Sequence, residues 1–231
     1  MGFLYDLKTL VARYPAVALP VARLRRGHGV VVSRNTEIVV EGFPRTGSSF
    51  AVAAFRRAQD RPVEVAHHVH APAQVMAAIR WGIPALVLIR DPEDCVLSLV
   101  IRNSDITVAK ALAGYERFYR PLLPMRERFA AATFDDVVQD FGTVIDRVNE
   151  RYGTSFARFH HTEESAASIL AEIEADYLTR DAPGEHFERI VPRPSERRRR
   201  LKEELRERYR HPALAEARAW AESLYERFVR G

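Results

Sequence analysis

Several features that mark other classes of protein are scarce or missing in this chain. A single cysteine, Cys95, leaves no partner for a disulfide within the chain and no CxxC metal spacing. We therefore expect a reducing, cytoplasmic setting and a buried, inert thiol. No apolar run is long enough to span a membrane. The apolar stretch from Leu10 to Leu24 is interrupted by prolines and arginines and lacks a clear cleavage site, so it does not predict a secretory signal.

Lysine is also scarce, because arginine accounts for most of the 35 basic residues, and the net charge is only +4. Arginine favours bidentate contacts with phosphate-like groups. The modest basic excess does not predict bulk binding of nucleic acid. The length of 231 residues suits one domain, 1–231, with an N-terminal helical extension (1–30) and a C-terminal helical segment (195–231).

Short apolar runs alternate with segments of helical periodicity. The predicted strands are Ile38–Gly42, Val63–Ala66, Ala85–Ile89 and a short one ending at Thr133 and Phe134. The predicted helices are 3–26 with breaks at Pro15 and Pro20, Ser48–Gln59, Ala73–Trp81, Asp94–Arg102, Val108–Ala131, 140–152, Thr162–Arg180, and a segment from Ser195 that breaks at Pro212. This alternation predicts a three-layer α/β fold, in which helices cover both faces of a mostly parallel central sheet.

The helical segment 3–26 allows two interpretations. It packs on the surface of its own domain, which is the interpretation we favour, or it associates weakly with a membrane surface. Stable insertion into a membrane is not expected.

The segment Ile38–Phe55 reads IVVEGFPRTGSSFAVAAF, a strand followed by a glycine-bounded loop and an apolar helix. Four residues separate Gly42 from Gly47, and a serine pair opens the helix. Backbone N–H groups of such a loop and of a helix N-terminus bind anions. The usual NTPase loop places lysine where this chain has Ser48, and the cation stands inside the loop at Arg45. The pattern predicts a phosphate cradle that is not built for ordinary ATP chemistry.

A second pattern lies in LIRDPEDCVLSLVIRN, from Leu88 to Asn103. Arg90 ends a buried strand, and Ser98 follows eight residues later on a predicted helix. Together they suit a second anion site beside the first, as a nucleotide with phosphates at two places requires. The alternative is that Arg90 pairs with Asp91 or Asp94 and that Ser98 is a surface hydroxyl.

These two segments resemble the paired cofactor motifs of the cytosolic-type sulfotransferases, which use 3′-phosphoadenosine 5′-phosphosulfate (PAPS). PRTGSSF (Pro44–Phe50) resembles the family's PKSGTTW, and RDPEDCVLS (Arg90–Ser98) resembles RxPxDxxxS. The resemblance covers residues 36–150 and, more loosely, a late basic segment. It implies a P-loop NTPase-like sulfotransferase fold, with transfer of a sulfuryl group from PAPS to an acceptor hydroxyl or amine. Adenosine 3′,5′-bisphosphate (PAP) is then the product, and no metal is expected.

The same resemblance assigns roles to residues. The loop residues that would hold the 5′-phosphosulfate are Arg45, Thr46, Gly47, Ser48 and Ser49. Arg45 stands at the family's lysine and would stabilise charge on the bridging oxygen, although arginine lacks the compact geometry of lysine. Phe50 replaces the motif's tryptophan and would stack on adenine. Arg90 and Ser98 would bind the 3′-phosphate.

Two later segments are also similar to family motifs. TFDDVVQD, from Thr133 to Asp140, is similar to a YED-type segment, in which Phe134 would form the second face of an adenine sandwich or belong to the core. VPRPSERRRR, from Val191 to Arg200, stands where the family has an RKG-type loop. Arg193 and Arg197 would grip the 3′-phosphate there, or the segment is a solvated helix face.

A histidine group contains the candidate general base. HVHAP (His68–Pro72) aligns with the family's KTHLP, which makes His70 the predicted base, with His68 the second catalytic candidate and His67 beside them. The chemistry needs a base with a pKa near 7, which histidine supplies without large tuning. Glu41 and Glu64 are alternative carboxylate bases. The H-x-H spacing also suits zinc, but no third ligand is evident nearby.

Two other functions stay open at this point. A P-loop kinase or NTPase would need lysine at the position of Ser48 and an acidic magnesium ligand at a strand end, where Arg90 stands. A non-catalytic nucleotide-binding scaffold predicts the same cofactor affinity without turnover. The acceptor could be a small molecule, a carbohydrate or a lipid, because sulfotransferases read acceptors with variable loops on a shared scaffold. The oligomeric state is equally open.

Overall fold

The computed structural model describes residues 2–180 and 196–230. Four strands, β1 (Ile38–Gly42), β2 (Val65–His67), β3 (Ala85–Ile89) and β4 (Ala130–Thr133), form one sheet in the order β2-β1-β3-β4. Every pair is parallel, with Val39 beside Ala66 and Ala85, and Leu88 beside Ala132. The predicted α/β class with a parallel sheet is therefore confirmed.

The helices connect these strands and extend the chain at both ends. They are α1 (Gly2–Val11), α2 (Pro15–Arg26), α3 (Ser48–Ala58), α4 (Pro72–Trp81), α5 (Pro92–Arg102), α6 (Val108–Tyr119), α7 (Phe134–Gln139), α8 (Phe141–Tyr152), α9 (Glu163–Arg180), α10 (Glu196–Tyr209) and α11 (Ala215–Arg230). Short 3-10 turns occupy His28–Val30, Leu123–Arg128 and Pro212–Leu214. None of the described helices is long and apolar enough to cross a membrane.

The strands are apolar on both sides because helices cover both faces of the sheet. Val39 and Val87 point into a core formed with α2, α4, α5, α6, α10 and α11. Val40 and Leu88 point into a second core formed with α3, α7, α8 and α9. Each of the five residues of β3 is buried, which explains its uninterrupted apolar sequence.

Local capping fixes where several helices start and stop. Asp91 accepts a hydrogen bond from the backbone N–H of Asp94 at 3.0 Å and so begins α5. Thr133 and Asp136 form a capping box at the start of α7. Gly82, with φ 70°, ends α4 in the left-handed conformation. The caps at Asp91 and Thr133 set the chain directions immediately after β3 and β4.

Two proline predictions have different outcomes. The break before Pro15 is confirmed, because α1 ends at Val11 and Pro15 starts α2. The predicted break at Pro20 is wrong, since this residue lies inside α2. Proline removes a donor from the carbonyl four residues earlier, at Ala16. Both residues are exposed, so water can solvate that carbonyl.

The predicted long helix Val108–Ala131 is also wrong. Helix α6 ends at Tyr119, Pro121 follows it, and the chain then forms a 3-10 turn before β4 starts at Ala130. Phe134, predicted as the end of that strand, is the first residue of α7. The break predicted at Pro212 is confirmed by the 3-10 turn between α10 and α11.

Candidate functional site

All four strands end at one edge of the sheet, and predicted site residues follow each end. The loop to Ser48 follows β1, His68 and His70 follow β2, Arg90 follows β3 and Phe134 follows β4. The connection from β1 runs to β2 on one side, while β3 lies on the other side of β1. In open α/β sheets, ligands bind outside the carboxyl ends of strands at such a change of direction.

Two glycines give the loop after β1 its shape. A Cβ on Gly42 would lie 2.5 Å from the Thr46 Oγ1 atom and 2.7 Å from the Leu88 carbonyl oxygen, so no side chain fits there. Gly47 takes φ 88° at the start of α3, where a Cβ would press on the Phe134 ring. Thr46 is fully buried and donates to the Phe43 carbonyl at 2.9 Å. The loop is therefore tightly folded before any ligand binds.

Backbone strain is concentrated at the predicted site. Within the described residues, Arg45 (φ 79°), His68 (φ 56°) and His70 (φ 54°) are the non-glycine residues with a left-handed backbone. This conformation costs an ordinary residue about 1–2 kcal/mol. Such strain is typical of active sites and ligand clamps, where the surrounding structure holds it in place.

The two predicted anion-binding motifs meet between β1 and β3. The Arg45 Nε atom donates to the Ser98 Oγ atom at 3.0 Å. The Arg90 Nη1 atom donates to the Arg45 carbonyl at 3.3 Å. Arg45 therefore points along the loop to the second motif, and its side chain lies where the resemblance assigns the 3′-phosphate.

Part of the Arg90 guanidinium is already engaged in contacts within the protein. Its guanidinium carbon lies 3.8 Å from the centre of the Phe134 ring. Its Nη2 atom is 3.4 Å from the Asp94 Oδ2 atom, so the predicted alternative of an ion pair with Asp94 is also present. The Arg90 side chain is 16 % exposed, and its Nε atom is buried without a hydrogen-bond partner among the described residues. An unpaired buried N–H is costly, and an anion that accepts a hydrogen bond from it would remove that cost.

The predicted adenine-binding rings differ in how open they are. Phe134 lines the cleft, but one of its faces is covered by Arg90, so a base could stack on the other face at most. Phe50 is 7 % exposed and packs edge-to-face on Phe159, with ring centres 6.2 Å apart, and against His161. Phe50 therefore belongs mainly to the core, although it also lines the cleft. Its stacking role stays a prediction.

His70 is held in one orientation and one tautomer. Its Nδ1 atom lies 2.8 Å from the Gly42 carbonyl, which can only accept, so Nδ1 carries the proton and Nε2 is left as an acceptor. The backbone N–H of His70 donates to the Glu41 Oε2 atom at 2.9 Å. Glu41 also accepts from the Val69 N–H at 2.7 Å and from Gln74 at 3.1 Å. A fully buried carboxyl group thus fixes the turn that carries the predicted base.

Burial shifts the pKa values of His70 and Glu41 in opposite directions. It lowers the pKa of His70 to about 3, His68 adds to the effect, and the Gly42 carbonyl opposes it. The expectation of a base with a pKa near 7 is therefore wrong for the free protein. Burial also raises the pKa of Glu41 to about 8, against the N–H donors of Val69, His70 and Gln74. Neither Glu41 nor Glu64 lines the cleft, so neither alternative carboxylate base faces a ligand there.

His67 and His68 form a hydrogen-bonded relay that the sequence did not reveal. The Arg56 Nη2 atom donates to the His67 Nε2 atom at 3.1 Å. For neutral rings, His67 Nδ1 then donates to His68 Nδ1 at 2.7 Å, and His68 Nε2 donates to the Ser49 Oγ atom at 3.1 Å. Burial lowers the pKa of His67 to about 3, which favours the neutral form of this ring. In this relay the Ser49 oxygen accepts, so its hydroxyl proton can be donated to another group.

A cleft of about 1780 Å³ runs along this edge of the sheet. Its lining includes the cationic residues Lys8, Arg26, Arg45, Arg56, Arg57, Arg90, Arg102, Arg199, Lys202 and Arg206. The carboxylates in the described lining are Glu172, Asp176 and Glu196. This excess of positive charge in a cleft attracts anions.

The late basic segment reaches the cleft through different residues from those predicted. Arg193 lies outside the described residues, and Arg197 is exposed in the first turn of α10 and does not line the cleft. Lys202 lies 2.7 Å from Asp94, and Arg206 lies 2.9 Å from Glu93, so α10 is anchored on α5 beside Arg90. In the sequence, only the helical spacing of Lys202 and Arg206 indicated that these two side chains lie on the same side of a helix.

Cys95 and metal ligands contribute little to this site. Cys95 is buried, donates to the Pro44 carbonyl at 3.3 Å, and has its pKa raised to about 12 by burial. The prediction of a buried thiol is confirmed. Within residues 2–180 and 196–230, no group of three or more His, Cys, Asp or Glu side chains could hold a metal ion.

Comparisons of the chain with models of protein families, with curated proteins and with solved structures found no match. The fold and the site therefore define the class by themselves: a parallel α/β protein with a basic cleft at the carboxyl edge of its sheet.

Proposed function

We propose that this protein transfers a sulfuryl group from PAPS to an acceptor hydroxyl or amine. The observation that carries the proposal is the junction of Arg45, Ser98 and Arg90 at the edge between β1 and β3. It joins a phosphate-type loop to a second cationic site that contains a buried, unpartnered N–H. A nucleotide with phosphates at both its 5′ and 3′ positions needs two adjacent anion sites of this kind.

The donor would be held by groups from both motifs. Backbone N–H groups of the loop and of the first turn of α3 suit the 5′-phosphosulfate, with the Ser49 hydroxyl beside them. Arg90 and Ser98 suit the 3′-phosphate. The hydrogen bond between Arg45 and Ser98 must be exchanged for contacts with the donor, because both side chains are assigned to it.

The reaction needs one proton acceptor, and His70 is suited to that role. The acceptor oxygen or nitrogen bonds to sulfur while the bond from sulfur to the phosphate oxygen breaks, and PAP leaves with that electron pair. The acceptor's proton passes to His70 Nε2, the nitrogen that is left free by the bond to Gly42. The low pKa of the free His70 would rise beside the anionic donor, because a nearby opposite charge favours the imidazolium.

A kinase is the less favoured alternative. Ser48, 5 % exposed, occupies the position where the NTPase loop has its lysine, and Arg90 rather than an acidic residue follows β3. A non-catalytic scaffold would share the donor site and differ only in lacking turnover.

Calorimetric titration separates these functions. We expect PAP to bind tightly and ATP with magnesium to bind weakly, after which PAPS turnover is tested with a panel of acceptors. A preference for ATP with magnesium would support the kinase, and binding of neither nucleotide would contradict both enzymes. Tight PAP binding without PAPS turnover on any acceptor of the panel would favour the scaffold.

A further inference from the structure

Six large apolar side chains on α1, on α2 and between them face solvent. They are Leu7, Leu10, Tyr14, Val17, Val21 and Leu24. The described residues contain eleven exposed large apolar side chains, so more than half lie in this one short segment. Leu24 is 89 % exposed, and the other five are 46–49 % exposed. We call these six residues the N-terminal apolar face.

The spacing places these side chains on one side of each helix. Successive members are three or four residues apart along the chain, which is the period of a helical stripe. The opposite side is already buried, because Ala12, Ala18 and Leu19 belong to the core. Helix α1 packs on α6, and α2 packs on α4. The N-terminal apolar face is therefore additional to the surface that attaches these helices to the domain.

The charges beside this face are mostly positive. Residues 7–27 contain Lys8, Arg13, Arg23, Arg25 and Arg26, and they contain no Asp or Glu. The nearest acid, Asp6, is held by Lys110 and Arg117. Helices that lie in a membrane interface combine an apolar side with flanking Lys and Arg, which attract anionic headgroups. Tyr14 adds an aromatic ring with a polar tip, as is common at such interfaces.

A second copy of this chain is a poorer occupant. The spacing resembles the apolar seam of a coiled coil, but such seams are flanked by charges of opposite sign that pair across the interface. Here the flanking charges are positive apart from Asp6, which is already paired with Lys110 and Arg117, so two copies would repel each other. The exposed apolar side chains and the flanking Lys and Arg residues are complementary to a layer with anionic headgroups over an apolar interior.

We propose that the N-terminal apolar face docks the protein on the surface of an anionic lipid bilayer, with α1 and α2 lying in the interface. Lys8 and Arg26 belong to these helices and also line the His70 end of the cleft. Docking therefore brings that end of the cleft close to lipid headgroups. Any effect of docking on how an acceptor reaches the cleft rests on the proposed function, whereas docking itself does not.

The test is co-sedimentation of the full chain with vesicles, without nucleotide. We expect binding to phosphatidylcholine vesicles that contain phosphatidylglycerol, much weaker binding to phosphatidylcholine alone, and loss of binding in high salt. Val17→Asp and Leu24→Asp should each weaken binding about tenfold or more. The matched control is Val229→Asp on α11, because Val229 is 48 % exposed and Val17 is 49 % exposed.

A second pair of variants tests the charges. Arg13→Glu with Arg25→Glu should abolish the preference for anionic vesicles, and neither residue lines the cleft. Thermal melting of every variant shows whether the fold is intact. The proposal is overturned if the protein binds anionic and neutral vesicles equally, or if it binds no vesicle. It is also overturned if the unchanged protein is a dimer that does not bind vesicles and Val17→Asp dissociates that dimer. Because no nucleotide is present, these outcomes are independent of whether the protein transfers sulfuryl groups.

Discussion

Arg45 holds a left-handed backbone with φ 79°, and its side chain connects the loop to Ser98. Two substitutions at Arg45 separate the effect of the backbone strain from the effect of the side-chain contact with Ser98. Arg45→Ala and Arg45→Gly both remove the side chain, but only glycine relieves the strain. We expect the glycine variant to be more stable to urea than the alanine variant by about 1 kcal/mol, since strain outweighs the extra chain entropy of glycine. Both variants should lose PAP affinity.

The control is the same pair of substitutions at Arg80, an exposed residue of α4. There the order should be reversed, because glycine is less favourable than alanine in a helix. Equal stability of the two Arg45 variants would contradict the assignment of strain to this position.

His70 should remain neutral in the free protein across the ordinary pH range. Burial lowers its pKa from 6.5 to about 3, so the neutral, proton-accepting form persists on the acid side of pH 6.5. In the proposed function PAP would place negative charge near His70, and we expect PAP to raise the pKa of this ring. NMR titration of the ring, with and without PAP, measures both effects. A His70 that titrates near 6.5 without PAP, or shows no change with PAP, would count against this account.

At the scale of elements, Glu41 joins β1 to the turn after β2. It accepts from the backbone N–H groups of Val69 and His70. Glu41→Gln leaves one acceptor oxygen and turns an amide donor towards one of these N–H groups. We expect a loss of stability of about 1–3 kcal/mol, and a fall in kcat that exceeds any change in KM. Glu64→Gln is the control, because Glu64 is exposed and does not line the cleft.

Glu41→Gln with unchanged stability and kcat would show that Glu41 does not position His70. Loss of stability alone, with kcat retained, would limit Glu41 to a structural role.

Some elements could be predicted from the sequence because their signals are local. The strands β1 and β3 match the predicted bounds, since their apolar runs are closed by Gly42 and Arg90. Strand β4 was partly merged into a helix because its residues, Ala130–Thr133, are mostly alanine, which has no strand signal. The helix bounds at Pro92 and Pro72 were missed by one or two residues, as proline suits the first helical turn.

At the scale of the whole molecule, two partly buried histidines make stability depend on pH. The pKa values of His67 and His70 are lowered from 6.5 to about 3, so the unfolded chain takes up their protons first as pH falls. Their contribution to stability is present above pH 6.5 and is lost between about 6.5 and 3. Glu41 has the opposite effect on stability. Its pKa is raised from 4.5 to about 8, so its contribution makes the folded state more stable as the pH falls through this range.

We therefore expect the free energy of unfolding to fall most steeply below pH 4.5, where Glu41 no longer offsets the histidines. Urea unfolding at a series of pH values measures this curve. His67→Gln should reduce the slope, and the account is contradicted if the variant and the unchanged protein have the same acid dependence.

The site as a whole was predictable only in part. Parallel strands place their carboxyl ends together, so the loop after β1 and Arg90 were expected to be neighbours. Which side chains meet across distant segments was not predictable from local patterns. The contact of Lys202 with Asp94 and the relay from Arg56 to Ser49 both depend on packing between helices and loops that are far apart in sequence.

The central claim is that Arg90 is part of a site for a 3′-phosphate. The most direct test is calorimetric binding of PAP and of adenosine 5′-phosphosulfate, which lacks the 3′-phosphate, to the protein and to Arg90→Ala. We predict that Arg90→Ala sharply weakens PAP binding and leaves the affinity for adenosine 5′-phosphosulfate nearly unchanged, because only PAP has the 3′-phosphate that the proposed site would hold at Arg90. Equal loss of affinity for both ligands, or no loss for either, would contradict the claim.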